Sequence, residues 1–125
     1  MNECKILVLE DEALIAIDIE MTLEEAGHRN IVLCHSVEDA LAQIDRTKPE
    51  IALLDVNLGK GHTSIPVAER LHDLGVPFFF LSGYTEATVS LPDGLESIKR
   101  MSKPFQSSEL IAAVQTMIDL SRHAG

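Results

Sequence analysis

The stretch "IALLDVNLGKG", residues 51–61, places an acidic side chain directly after an apolar run. The run 51–54 is typical of a strand that is covered on both faces of a parallel sheet, and Asp55 follows it at once. An Asp at the end of a strand most often begins a turn. Whether Asp55 does more than this depends on which other side chains the fold brings to the same edge of the sheet.

Short apolar runs recur along the chain and predict further strands. The five predicted strands, of which the last is weak, are residues 5–9, 30–34, 51–54, 77–81 and 97–102. The first four are almost continuously apolar, which is expected of strands buried on both faces.

Segments of helical period lie between these runs. Residues 12–26 carry two apolar stripes before Gly27, namely Leu14, Ile17 and Met21, and Ile15, Ile19 and Leu23. The segment "SVED", residues 36–39, is a capping box that begins a second helix, whose inward side chains are Val37, Leu41 and Ile44.

Three more segments complete the pattern. The third helix is capped by Thr63 or Ser64, has Pro66 in its first turn, and carries the stripe Val67, Leu71 and Leu74. The last helix follows Ser107 and Ser108. Between residues 84 and 91 a helix is disfavoured by three β-branched residues and by the turn sequence "PDG" at 92–94.

The alternation of strands and helices predicts the fold class. It is α/β, a (βα)5 chain forming a doubly wound parallel sheet of five strands, with right-handed connections and a short or irregular fourth helix. Ligands of such folds bind beyond the carboxyl ends of the strands, at the topological switch point.

Length and composition restrict the classes of function. The 125 residues predict one domain, 1–125, with no output domain, because the chain ends at "SRHAG" soon after the last helix. A net charge of −10 argues against binding to nucleic acid or to an anionic membrane, since both require Lys and Arg. No apolar run approaches the ~20 residues of a membrane span, and no signal peptide fits before the first strand, so a cytoplasmic location is predicted.

The two cysteines, Cys4 and Cys34, have neither metal-ligand spacing nor a disulfide framework. They are predicted to be reduced and buried. One opens the first strand and the other ends the second, so parallel neighbours would separate them beyond disulfide reach.

Polar and charged side chains follow four of the predicted strands. They are Glu10, Asp11 and Glu12, then Asp55, then Ser82 and Gly83, then Lys103 and Pro104. In a parallel sheet these groups meet at one edge, where neighbouring carboxylates repel strongly unless a cation lies among them. Hard oxygen ligands, with a backbone carbonyl after Asp55 among them, suit Mg²⁺ or Mn²⁺.

A phosphoryl group is the ligand that this edge suits best. A lysine and a small hydroxyl opposite the acids would hold it, and Asp55 could be the nucleophile that forms an acyl phosphate. A dinucleotide site is not predicted, because the first strand leads into acidic residues rather than into G-x-G-x-x-G.

Four motifs, "LVLEDE", "LLDVNL", "FLSGY" and "SKPF", resemble the receiver domain of two-component response regulators, along essentially the whole chain. The resemblance implies a flavodoxin-like sheet of order 2-1-3-4-5. It also implies a set of site residues: Asp55 as phosphoacceptor, Asp11, Asp55 and the Asn57 backbone carbonyl on Mg²⁺, Glu10 through a water, Ser82 and Lys103 on the phosphoryl group, and a cis peptide bond between Lys103 and Pro104.

Two features depart from the common receiver pattern, and both concern the conformational switch. The position three before Lys103, usually aromatic in receivers that switch by burying a ring, is Arg100. The segment "FLSGY", residues 80–84, resembles a smaller subgroup of stand-alone receivers with a Phe-Ala-Thr-Gly-Tyr-like signature after strand 4.

The resemblance implies a response regulator in a His-Asp phosphorelay rather than a turnover enzyme. It would take a phosphoryl group from a histidine kinase or phosphotransfer protein and signal by binding an unidentified downstream protein, or act as a phosphate sink without one.

A haloacid-dehalogenase-type phosphatase also uses a strand-end Asp and Mg²⁺, but its nucleophile follows strand 1 and a second Asp lies two residues on. Here Asp55 follows strand 3, and Asn57 lies two residues on. A receiver-like scaffold that no longer accepts phosphate is disfavoured, because the acid, hydroxyl and lysine positions are filled.

We expect Tyr84 to replace the missing aromatic residue of the switch. Arg100 cannot fill an apolar space, because a buried guanidinium needs a charged partner, whereas Tyr84 adjoins Gly83, which gives the backbone room to move. Relaxation-dispersion NMR should show microsecond-to-millisecond exchange in residues 82–94, and a phosphoryl mimic with Mg²⁺ should suppress it. Exchange that is absent, or that the mimic leaves unchanged, would place the switch elsewhere.

Overall fold

Five parallel strands form one sheet in the order β2-β1-β3-β4-β5. The computed structural model describes residues 4–56, 58, 63–82, 98, 100–102 and 105–123. The strands are β1 Ile6–Leu9, β2 Ile31–Cys34, β3 Ile51–Asp55, β4 Phe78–Ser82 and β5 Arg100–Ser102. The described helices are α1 Ala13–Glu25, α2 Val37–Arg46, α3 Ile65–Asp73 and α4 Ser107–His123. The predicted fold class and strand order are confirmed, whereas the expected irregular helix at 84–91 lies outside the described residues.

Side chains of the strands alternate between two apolar clusters, one on each face of the sheet. Leu7, Leu9 and Leu54 pack in the cluster to which α2 and α3 contribute. Val8 and Leu53 pack in the other, together with side chains of α1 and α4. Burial on both faces is the reason that the strands read as continuous apolar runs.

The strand bounds differ from the predicted ones mainly at the fifth strand. β5 contains three residues, Arg100–Ser102, and Ile98 lies before it rather than in it. In contrast, β3 extends one residue further than predicted and includes Asp55. Asp55 is therefore the last residue of a strand and not the first of a turn.

The structure selects one of the two stripes on α1 as the buried one. Ile19 and Leu23 are fully buried, whereas Leu14 is 84% exposed. Helical period fixes the angles between side chains but not the rotation of the helix about its axis, so the sequence left both stripes open. On α3 the predicted stripe is wrong at its end: Leu74 is 38% exposed, because the helix ends at Asp73 and Gly75 continues the chain with a φ of 73°.

The helix starts follow the capping signals in part. The Ser36 hydroxyl accepts a hydrogen bond of 3.1 Å from the Asp39 N–H, as the capping box predicts. At α3 it is Thr63 that accepts a bond, of 3.4 Å, from the Ile65 N–H, while the buried Ser64 makes no side-chain cap. Among the described helices, none is long and apolar enough to cross a membrane.

Cys4 and Cys34 are free and buried, as predicted. In the β1–β2 register Cys34 is the partner of Leu9, five positions beyond Cys4 along β1. At about 3.3 Å per residue the two thiols lie out of disulfide reach. Burial raises the pKa of each thiol to about 12, so both stay protonated and unreactive at neutral pH.

Two leucines on α1 give a matched test of its orientation. Leu23→Ala should lower the free energy of unfolding by about 2–5 kcal/mol, because it leaves a cavity in the core. Leu14→Ala should change it by no more than about 0.5 kcal/mol, because that side chain is exposed. Urea unfolding of both variants measures the difference, and equal losses would contradict the rotation of α1.

Candidate functional site

The register of β1 and β3 sets two acidic residues side by side. Leu9 is the Cα partner of Leu54, so the next residues, Glu10 and Asp55, stand level at the carboxyl ends of the two strands. The alternation that puts Val8 and Leu53 in one cluster gives Glu10 and Asp55 the same face. The site therefore begins where an apolar layer ends.

Among the described residues, three carboxylates meet at this edge. Glu10, Asp11 and Asp55 each offer an oxygen, and these oxygens lie within 4.8 Å of one another. Glu10 is fully buried and Asp55 is 2% exposed, whereas Asp11 is exposed to solvent. The cluster is thus a partly buried concentration of negative charge with one side open to solvent.

The backbone of Glu10 is held by the end of β2. Its N–H donates to the Cys34 carbonyl at 3.0 Å, and its carbonyl lies 3.0 Å from Nδ1 of His35. A carbonyl oxygen only accepts hydrogen bonds, so His35 carries a proton on Nδ1 in this contact. No sequence motif pointed to His35, since only the sheet order brings the end of β2 beside β1.

Glu12 is not a member of the carboxylate cluster, although it follows Glu10 and Asp11 directly in the sequence. It precedes α1 and its side chain is exposed. Its backbone N–H donates instead to Oε2 of Glu10 at 3.1 Å. The turn between β1 and α1 thus brings the backbone N–H of Glu12, and not the Glu12 carboxylate, to the carboxylate of Glu10.

Asp55 is held by hydrogen bonds on the next residue. The Val56 N–H donates to the Leu81 carbonyl at 2.9 Å, and the Val56 carbonyl accepts from the Ser64 N–H at 3.1 Å. These bonds tie the end of β3 both to β4 and to the start of α3. The backbone around Asp55 is therefore fixed from two sides.

The donor set fits a hard divalent cation. Carboxylate oxygens are the ligands that Mg²⁺ takes, and Mg²⁺ keeps several waters, which the exposed side at Asp11 allows. Three carboxylates at such short separation repel one another, and the repulsion is strongest where burial lowers the dielectric constant. A cation among them offsets this cost.

The remaining predicted site residues are only partly described. Ser82 ends β4, one position beyond Leu81, which is the register partner of Asp55. Arg100 is half-buried on β5, in register with Phe80. The other members of the predicted set lie outside the described residues: Asn57, Gly83, Tyr84, Lys103 and Pro104.

Residues 6–115 match the response regulator receiver domain, and the chain belongs to this family. It is 29% identical over 122 residues to the phyllosphere-induced regulator PhyR of Methylorubrum extorquens, covering 96% of this chain and 45% of PhyR. The solution structure of SdrG from Sphingomonas melonis Fr1 has a TM-score of 0.79 and 32% identity, covering 94% of this chain and 99% of SdrG.

A second solved structure is similar to this chain to the same degree. The crystal structure of the response regulator PhyR from Brucella abortus has a TM-score of 0.79 and 27% identity, over 98% of this chain and 51% of that one. The chain spans about half the length of the curated relatives it matches. The family match confirms the predicted receiver fold.

Removal of one charge from the carboxylate cluster should stabilise the metal-free protein. We expect Asp11→Asn to raise the free energy of unfolding by about 1–2 kcal/mol at low salt, between the bulk-water and protein-surface values for two close charges. Asp18→Asn, at an exposed acid on α1 outside the cluster, is the matched control and should have a smaller effect. Thermal unfolding in EDTA measures both, and a loss of stability in Asp11→Asn would contradict the repulsion.

Proposed function

We propose that this chain is the phosphoacceptor of a His-Asp phosphorelay, and that Asp55 receives the phosphoryl group. The observation that carries the proposal is the meeting of Glu10, Asp11 and Asp55 at the carboxyl edge of a receiver-type sheet. Asp55 is the one of the three that ends the central strand β3, with its backbone fixed on both sides. A carboxylate held in this way is oriented for attack on an incoming group.

The transfer is a displacement at phosphorus. An Asp55 carboxylate oxygen attacks the phosphorus of a phosphohistidine, the P–O bond forms, and the P–N bond breaks with its electron pair left on the imidazole. The product is an acyl phosphate on Asp55. Attack of water at phosphorus then returns the free carboxylate and inorganic phosphate, so the signal is self-limiting.

Asp11 and Asp55 would hold Mg²⁺ or Mn²⁺ directly, together with the backbone carbonyl of Asn57, and Glu10 would act through a water. When bound, the ion neutralises charge on the phosphoryl oxygens. The burial of Glu10 and Asp55 supports a cation among the three carboxylates, because buried charges gain most from a neighbouring cation. The exposed side at Asp11 leaves room for waters, through one of which Glu10 would act.

Ser82 and Lys103 complete the proposed site from the side of β4 and β5. The backbone position of Ser82, beside the end of β3, supports its part in binding the phosphoryl oxygens. The sequence places Lys103 directly after β5, where its ammonium would pair with the phosphoryl charge.

The phosphatase alternative finds less support. It requires a nucleophile after the first strand and a second acid two residues beyond it, whereas Asp55 ends the third strand. We infer that the donor is a histidine kinase or phosphotransfer protein and that the output is the binding of a downstream protein in the cytoplasm. The regulators to which the chain is similar support this inference.

Labelling with acetyl phosphate and Mg²⁺ tests the assignment. The wild type should form an acid-stable, alkali-labile phosphoryl adduct, and Asp55→Asn should abolish it because the amide is not a nucleophile. Asp11→Asn should need at least about tenfold more Mg²⁺, since loss of an outer-shell partner alone costs that much in metal affinity. Asp18→Asn should label like the wild type. Equal labelling of Asp55→Asn, located by mass spectrometry on another residue, would refute the proposal.

A further inference from the structure

The peptide group between Glu10 and Asp11 is held at its carbonyl by a side chain from the end of β2. This carbonyl oxygen belongs to Glu10 and lies 3.0 Å from Nδ1 of His35, whose side chain is otherwise exposed. The Glu10 N–H donates to the Cys34 carbonyl at 3.0 Å, so both backbone groups of Glu10 bond to the end of β2. His35 therefore contacts the chain between two of the three carboxylates of the cluster.

The imidazole lies where a regular parallel ladder would supply a backbone donor. In such a ladder a residue donates its N–H to one residue of the neighbouring strand and accepts from the residue two positions further on. Since Glu10 donates to Cys34, its carbonyl would accept from the N–H of Ser36. However, β2 ends at Cys34, and Ser36 is already the N-cap of α2. The His35 side chain thus gives the Glu10 carbonyl a donor where the two strands stop pairing.

This hydrogen bond bears most directly on Asp11. A peptide plane turns only by changing ψ of the residue before it and φ of the residue after it, so the plane that His35 holds sets the direction of the Asp11 side chain. Asp11 is exposed, and packing in the core does not hold it. Glu10, in contrast, is fully buried, and its carboxylate accepts a further bond of 3.1 Å from the Glu12 N–H. Of the two acids, Asp11 therefore depends more on the backbone for its position.

We propose that His35 is a positioning residue for the divalent cation: by donating from Nδ1 to the Glu10 carbonyl, it orients Asp11 for metal binding. This inference rests on the proposed function, in which Asp11 is a direct ligand. Mg²⁺ keeps several waters and takes few protein ligands, so a ligand whose direction is fixed in advance loses less freedom when the ion binds. His35 itself needs no contact with the ion or with the phosphoryl group.

The tautomer of His35 gives a first test that needs no metal. Because Nδ1 donates to the Glu10 carbonyl, the neutral ring carries its proton on Nδ1 and leaves Nε2 as an acceptor. Long-range ¹H–¹⁵N correlation spectra of the ¹⁵N-labelled protein in alkaline buffer distinguish the two tautomers. They should show the proton of His35 on Nδ1, and a neutral ring with its proton on Nε2 would overturn the proposal.

Two substitutions of equal shape separate the hydrogen-bond donor from the rest of the side chain. His35→Asn keeps a donor, because its amide nitrogen is bonded to Cγ as Nδ1 is, whereas His35→Leu has the same branching without a donor. His35→Leu should weaken Mg²⁺ binding about three- to tenfold, which is the net contribution of one hydrogen bond expressed as an affinity. His35→Asn should stay within about twofold of the wild type. Titration with MgCl₂ in the absence of a phosphoryl donor, followed by the amide shifts of residues 9–12 and 54–56, measures these affinities.

His72→Leu is the matched control, because His72 is an exposed histidine on α3 outside the carboxylate cluster. This variant should bind Mg²⁺ as the wild type does. The thermal midpoints of the three variants in EDTA should stay near that of the wild type, because exposed side chains contribute little to the free energy of unfolding. A change in Mg²⁺ affinity at His35 would then not reflect a loss of the fold.

The titration has outcomes that contradict the proposal. Equal affinity of His35→Leu and the wild type would overturn it, and so would equal weakening in His35→Leu and His35→Asn. Tighter binding by both variants would overturn it in favour of an effect of the charge on the ring. The proposed function fails separately: if the wild type binds Mg²⁺ but acetyl phosphate does not label Asp55, the phosphoacceptor role is refuted and the inference about metal binding stands.

Discussion

The parallel pairing of β1 with β3 is the constraint on which the site depends. The pairing of Leu9 with Leu54 makes Glu10 and Asp55 neighbours, and a slip of one residue would send one of the two carboxylates to the opposite face of the sheet. Close packing on both faces of β1 and β3 opposes that slip, because each side chain would have to enter a space in the core shaped for another. Packing in the core thus fixes the position of charges at the edge.

Neighbouring elements hold this pair of carboxylates in place. β2 supports Glu10 through the Cys34 carbonyl and His35, and β4 supports the residue after Asp55 through the Leu81 carbonyl. Apart from the His35 side chain, these contacts are made by backbone groups at the ends of adjacent strands. The strand order 2-1-3-4-5 therefore matters for the site as well as for the fold, because it puts β2 beside β1 and β4 beside β3, where their ends hydrogen-bond the backbone around the acidic residues.

Helix α1 has one side in the core and one side exposed to solvent. Its inner side fills the core with Ile19 and Leu23, and its start adjoins the carboxylate cluster. Its outer side carries Leu14, Ile17 and Met21, which are exposed to solvent and belong to neither core cluster.

The sequence by itself determined the sheet, its parallel direction and the gathering of acids at one edge, because these follow from local patterns: apolar strands, helical segments between them and acids at strand ends. Only the tertiary structure decided which stripe of α1 is buried, that Glu12 lies outside the cluster and that His35 contacts Glu10. The reason is physical. Period fixes how side chains on one element lie relative to each other, but the rotation of a helix, and the contacts between strand ends, depend on packing against elements distant in the chain.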